Sequence, residues 1–201
     1  MAEEVGFEPT NPFGLSVFKT DAFNQTQPPL HYGSNLTMNR FVLDLDPKLA
    51  AEYHCNKHVV KMIVEECQML STAHRLLSDD LSSEEDKILY NAVYMNHPCA
   101  IWVRQTSGNY EWAYALLENL CQEYTLRYER VHKSSLLLPY LQYLPKGIVK
   151  SPLTDFAQAV PEDCKHDNPV IAYQKYYREH KSSFAKWTKR SVPTWFGEGN
   201  V

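Results

Sequence analysis

From Leu49 to Leu77 the chain is apolar on almost every side of a helical wheel, and one narrow polar stripe interrupts it. At about 100° per residue, His54, His58, Lys61, Glu65 and Gln68 fall within a band roughly 80° wide, with Lys57 at its edge. Tyr53, Val59, Val60, Met62, Ile63, Val64, Cys67, Met69, Leu70 and Ala73 occupy the remainder. A surface helix divides more evenly between apolar and polar faces. This pattern predicts a largely enclosed helix whose one wet face looks into a cleft.

The pattern on either side predicts a mostly α-helical single domain. Phe41 to Asp46 alternates and reads as an extended lead-in, with Asp46 as N-cap and Pro47 as first helical residue. One helix is expected from there to Leu77. A second should run from Ser83 to about Met95, and Asn96-His97-Pro98 interrupts the pattern because a residue before proline leaves helical geometry. A third run passes Ile101, Trp102 and Tyr110 to Tyr128, with a break or bend at Gly108. Leu136 to Leu144 is a short apolar segment, and Pro145 to Pro161 reads as loop. Asn168-Pro169 opens a last helix, Val170 to about Arg190, and Pro193-Thr194-Trp195-Phe196 closes the domain.

Residues 1–37 carry prolines at 9, 12, 28 and 29, no sustained periodicity and no secretory-signal pattern. The segment resembles conceptual translation across transfer-RNA genes, so translation starting at Met38 is expected; a genuine disordered arm is the competing reading. The expected organisation is an extension over 1–37, a helical domain over 38–196 and a tail over 197–201.

Composition narrows the class. With 44 % hydrophobic and 12 % aromatic residues in 201, the chain can build a sizeable core. It has no apolar run long enough for a membrane span, and a cytoplasmic location, in the host cell if the protein is viral, is expected. The five cysteines show no C-x-x-C pair and read as buried free thiols rather than disulfides or a metal cluster. The formal net charge of -4 hides an asymmetry. Asp79 to Asp86 holds acids and no base, whereas Lys175 to Arg190 is basic apart from Glu179.

Three features carry candidate chemistry. In the stripe, His54, His58, Lys61 and Glu65 offer base, amine and acid together, and Lys57 with Lys61 could grip phosphates. The plain alternative is a solvated face with Lys61–Glu65 as an ordinary i,i+4 pair. A metal held by His54 and His58 would need a third ligand from Glu65, His97 or Asp167, and Lys61 would repel it. His97, pinned before Pro98, and Arg104 are candidates for a cleft contacting phosphate, or for capping and a structural ion pair. Between Tyr173 and Trp195, Lys175, Arg178, Lys186, Lys189 and Arg190 alternate with aromatics, which suits a nucleic-acid backbone with stacked bases. The alternative is a core face of Tyr173, Tyr177, Phe184 and Trp187 with lysines in solvent. P-loop, G-x-G-x-x-G and G-x-S-x-G motifs are absent, and no cofactor is expected.

The run MNRFVLDLDPKLAAEYHCNKHVVKMIVEECQML from Met38, then NHPCAIWV, EYTLRYERVH and KRSVPTWF, resembles a family of small helical proteins common in bacteriophage genomes. It is also similar to the phage-type pyrimidine-dimer DNA glycosylases. The likeness rests on Asn39-Arg40 ahead of a first helix beginning Leu49-Ala50, His97-Pro98 in mid-chain, and Pro193 to Phe196 at the close. The resemblance implies a shared helical fold, DNA as partner, Arg40 and Trp195 among its contacts, and base-excision or lyase chemistry. Two departures stand against it. That family attacks with a free N-terminal amine, which residues 1–37 would displace and which Asn39 after Met38 would leave capped by methionine. Its catalytic glutamate, flanked by arginines, falls here at Val59–Val60. The expectation is a DNA-processing protein with the stripe as its site; a non-catalytic nucleic-acid binder and a His54/His58 metal hydrolase are the alternatives.

Overall fold

The structure, a computed structural model, describes residues 38–197; the extension over 1–37 and the end of the tail lie outside the described residues. Among the described residues there is no strand and the α-helices are α1 (Pro47–Tyr53), α2 (Asn56–Leu77), α3 (Ser83–Ile88), α4 (Pro98–Val103), α5 (Ser107–Tyr128), α6 (Leu138–Leu141), α7 (Pro169–His180) and α8 (Thr194–Gly197). Short 3-10 turns precede α6 at Lys133–Leu137 and α7 at Glu162–Cys164. No helix among the described residues is long and apolar enough to cross a membrane.

The two 22-residue helices α2 and α5 pack on each other and form the spine, with α1 also against α5 and α4 against α2. Ile63, Met69, Leu70, Leu116, Leu117 and Leu120 sit fully buried between them. Met38 to Leu43 runs as extended chain through this core, each residue buried, so the lead-in segment is interior rather than a surface strand. Both proline starts form as the sequence dictates. Asp46 accepts the Lys48 N–H at 2.8 Å, and Asn168 accepts the Val170 N–H at 2.9 Å.

The expected single helix from Pro47 to Leu77 is two helices. His54 and Cys55 are extended, at ψ 131° and 162°. Arg127 of α5 enters the break and donates to the His54 carbonyl at 2.7 Å and the Glu52 carbonyl at 2.9 Å. Those carbonyls lose intrahelical partners and gain a buried guanidinium, which Glu123 neutralises at 2.9 Å. The second helix is also shorter than its pattern suggests, ending at Ile88.

The third run breaks at Arg104–Thr106, not at Gly108. Thr106 caps α5, and Gly108 lies in its first turn because backbone from elsewhere crosses it there. The Ser107 and Gly108 N–H groups donate to the Val149 and Ser151 carbonyls at 2.9 and 3.0 Å. A Cβ on Gly108 would stand 2.3 Å from Leu153 N. The last helix stops at His180, ten residues short of Arg190, and the chain then continues through turns to Pro193.

Candidate active site

The helix break resets the phase of the wheel, so the stripe divides. On α2, His58 and Glu65 are buried, Lys61 between them is exposed, and Gln68 is half-buried. His54 falls in the break and is wholly enclosed, its Nδ1 2.6 Å from the Ala50 carbonyl and its Nε2 without a protein partner. The stripe is a seam closed by the lead-in segment, not a wet face.

Glu65 is the centre of that seam. Its Oε2 accepts the backbone N–H of Asn39 at 2.7 Å, and its Oε1 meets Lys61 Nζ at 2.9 Å. Burial raises the carboxyl above its ordinary range, against the opposing pull of Asn39 and Lys61. Asn39 is fixed on three sides. Its Nδ2 donates to the Ala159 carbonyl at 2.8 Å, and its Oδ1 accepts the Arg40 N–H at 2.7 Å.

The next residue anchors the segment. Arg40 makes a two-pronged contact with Glu66, Nε to Oε1 at 2.7 Å and Nη2 to Oε2 at 2.5 Å, and stacks on Trp102 at 4.9 Å. Both members of the pair are buried. Adjacent glutamates on α2 therefore do different work: Glu66 holds the lead-in segment, and Glu65 receives the nitrogen that this positions.

His58 lies one turn before Lys61, stacked on Phe41 at 4.5 Å with its Nδ1 on the Tyr177 hydroxyl. Burial, followed by the charges of His54, Lys181 and Lys61, lowers His58 to about 2. Desolvation likewise lowers His54 to about 4. Both imidazoles are therefore neutral at physiological pH. Lys57, over the Phe184 ring at 4.8 Å, and Lys181, over the Tyr176 ring at 4.5 Å, stand beside this wall with Lys61. Three ammoniums thus border the aromatic group Phe41, Tyr176, Tyr177 and Phe184.

The other expected residues are distributed differently. Arg40 is 2 % exposed and occupied by Glu66, so its guanidinium is out of reach of a DNA backbone. His97 caps α4, accepting the Cys99 N–H at 3.2 Å, while its buried Nε2 is unpartnered. Arg104 also keeps a buried, unpartnered Nη1. Of the basic C-terminal residues, Lys175 donates to the Asp163 carbonyl, Arg178 to the Trp195 carbonyl at 3.1 Å, and Lys189 pairs with Glu129 at 2.5 Å. Arg190 is held by Glu123 at 2.5 Å. Lys186 is exposed, and Trp195 packs edge-on against Tyr53 and Tyr177. The basic run is thus partly consumed in internal ion pairs and caps. His54 and His58 do not form a metal-ligand group: the described residues bring three or more His, Cys, Asp or Glu donors together only at Asp163, Cys164, Glu179 and His180.

The segment Met38–Leu43 thus sets the backbone amide of Asn39 against a buried glutamate inside the core. Residues 38–135 match the family model of pyrimidine dimer DNA glycosylases. No curated protein and no solved structure matches the chain. The match to the pyrimidine dimer glycosylases begins at Met38 and covers Asn39, Arg40, His58, Lys61, Glu65 and His97, but stops before α7. It therefore takes in the Glu65 centre and leaves out Tyr177, Lys181 and Phe184. The similarity is to a family of DNA-repair enzymes. The carboxylate beside residue 39 is Glu65; Val59 lies in the core and Val60 carries no ionisable group. Asn39 and Glu65 are 26 positions apart, and no periodicity in the sequence links them. The available signal was the lone charge of Arg40 in an apolar segment together with a second glutamate next to Glu65.

Proposed function

We propose that the protein is a base-excision DNA glycosylase with lyase character, and that its reaction centre is Glu65. The observation that carries this reading is the Glu65 carboxylate bridging two nitrogens, Asn39 N at 2.7 Å and Lys61 Nζ at 2.9 Å, in a region similar to the pyrimidine dimer glycosylases. In the intact chain the nitrogen of residue 39 is a peptide amide, so the amine at the centre is that of Lys61. Glu65, its proton affinity raised by burial, takes a proton from Lys61 Nζ. The freed amine forms a bond to the sugar C1′ as the C1′–base bond breaks, and the departing base leaves with that electron pair and the proton Glu65 held. Ring opening gives a protonated imine between Lys61 and the sugar. Lys57 and Lys181 meet the flanking phosphates, and the Phe41–Tyr176–Phe184 wall offers an apolar face to an unstacked base.

Borohydride trapping on ultraviolet-irradiated and on abasic duplex DNA tests this. A covalent protein–DNA adduct is expected with the intact chain, lost in Lys61→Ala and in Glu65→Gln. An adduct that survives Lys61→Ala, and that increases when the chain is made to start at Asn39, would move the nucleophile to the amine of residue 39 and overturn the lysine assignment alone. Salt-dependent DNA binding with no adduct from either form would overturn the enzyme reading altogether.

A further inference from the structure

The 3-10 turn Glu162–Cys164 and the end of α7 bring four unlike donors to one place. Asp163, Cys164, Glu179 and His180 each direct one ligand atom into a group whose members lie within 4.8 Å of one another. Two separations decide what the group suits. His180 Nε2 stands 3.4 Å from Asp163 Oδ2, and Cys164 Sγ stands 3.6 Å from Glu179 Oε2. The first is long for a hydrogen bond between nitrogen and oxygen, which centres near 2.9 Å. Tetrahedral zinc, with bonds of about 2.0 Å to nitrogen and oxygen and about 2.3 Å to sulfur, sets nitrogen–oxygen and sulfur–oxygen edges of about 3.3 and 3.5 Å. The two observed edges lie within about 0.1 Å of these.

We infer that Asp163, Cys164, Glu179 and His180 form a structural zinc site. The donor set of one sulfur, one nitrogen and two oxygens suits borderline-soft Zn2+ over Mg2+ or Ca2+, which take oxygen alone. Charge agrees. With the thiolate and two carboxylates, the ion leaves one net negative charge, and Lys175, 3.9 Å from the other oxygen of Glu179, balances it. The thiol is also fully enclosed, while the two carboxylates and the imidazole keep a solvent side through which an ion enters.

The site has a mechanical consequence. The loop before α7 is tied to that helix at Tyr173, whose hydroxyl accepts the Ala159 N–H at 3.0 Å and donates to the Ala157 carbonyl at 2.9 Å. Zinc at Cys164 adds a tie at the C-terminal end of the loop. Ala159, at the Tyr173 end, holds Asn39 beside Glu65 through its carbonyl. The ion thus fastens the strap that positions the centre without touching it.

The test uses the full, untagged chain stripped with chelator and titrated with zinc chloride by calorimetry, with cobalt(II) as the optical reporter. One equivalent of zinc is expected, with a sulfur-to-cobalt charge-transfer band and a zinc-dependent rise in melting temperature. Affinity should fall at least about tenfold in Cys164→Ser and in His180→Ala, as a disrupted coordination sphere requires. Asp163→Asn, at an exposed position, serves where Cys164→Ser lowers the folded fraction seen by circular dichroism. Cys121→Ser, on α5, should change nothing. Absence of binding, binding that these ligand variants leave intact, or binding lost in Cys121→Ser would each overturn the site.

Discussion

Replacing Arg40 with methionine isolates the interaction that anchors the segment leading to the candidate centre. Methionine keeps most of the apolar stem that lies against Trp102 and removes the guanidinium. Glu66, with no exposed surface, is then left as a buried carboxylate without a counter-charge. Breaking a buried pair in this way costs about 3–5 kcal/mol, because the surviving charge keeps its desolvation penalty. For a domain of this size that corresponds to a fall in melting temperature of roughly 6–20 °C. Urea unfolding of Arg40→Met, Glu66→Met and the double variant gives the coupling directly. The double variant should cost no more than about 2 kcal/mol, since apolar replacement of both partners leaves nothing unpaired. The pH dependence has a definite sign. Burial raises Glu66 above the unfolded value even with Arg40 present, so the fold holds its proton more tightly than the unfolded chain does. The stability this contributes is full below the unfolded pKa and is lost as pH rises through the folded one. Without Arg40 the folded value climbs further, so the deficit of Arg40→Met should be smaller at pH 5 than at pH 8. A single-variant cost below about 1 kcal/mol, or a double variant as damaged as the sum of the singles, would refute the claim that this pair holds the lead-in segment.

Two further outcomes follow from the buried groups and the helix crossing. His54 and His58, lowered to about 4 and about 2, stay neutral in the fold while the unfolded chain takes up protons below about 6.5. Their stability is full above that value and lost as pH falls through it toward the folded values, so urea midpoints should fall steadily from pH 6.5 to 4.5. His58→Phe should flatten that slope. Gly108→Ala places a methyl group 2.3 Å from Leu153 N, where the obstacle is backbone and cannot rotate away. A loss of about 1–3 kcal/mol is expected by denaturant unfolding, and an unchanged midpoint would mean that the 149–153 segment is free to withdraw.

The proline-led starts at Pro47, Pro98 and Pro169 were legible because capping is local: Asp46, His97 and Asn168 satisfy amides two residues ahead through their own side chains. The helical class and the buried thiols were legible as well, since both follow from composition and periodicity. The break at His54–Cys55 was not. Nothing local forbids a helix there; the opening is held by Arg127, more than seventy positions away, which supplies hydrogen bonds to the released carbonyls. With the break goes the phase of the stripe, and only His58, Lys61, Glu65 and Gln68 share a continuous helix face. The basic run after Lys175 shows the same limit, because a lysine or arginine in sequence does not reveal whether Glu123, Glu129 or a backbone carbonyl already occupies it.

The sequence by itself determined the helical class and where α1, α3, α4 and α7 begin. Tertiary structure alone decided that Glu65 meets the nitrogen of residue 39 while Glu66, one position on, is consumed by Arg40. Adjacent positions on a helix point about 100° apart, so which carboxylate serves as anchor and which as centre depends on where the lead-in segment crosses. That crossing is a long-range packing event, fixed by a core that periodicity can predict to exist but cannot arrange.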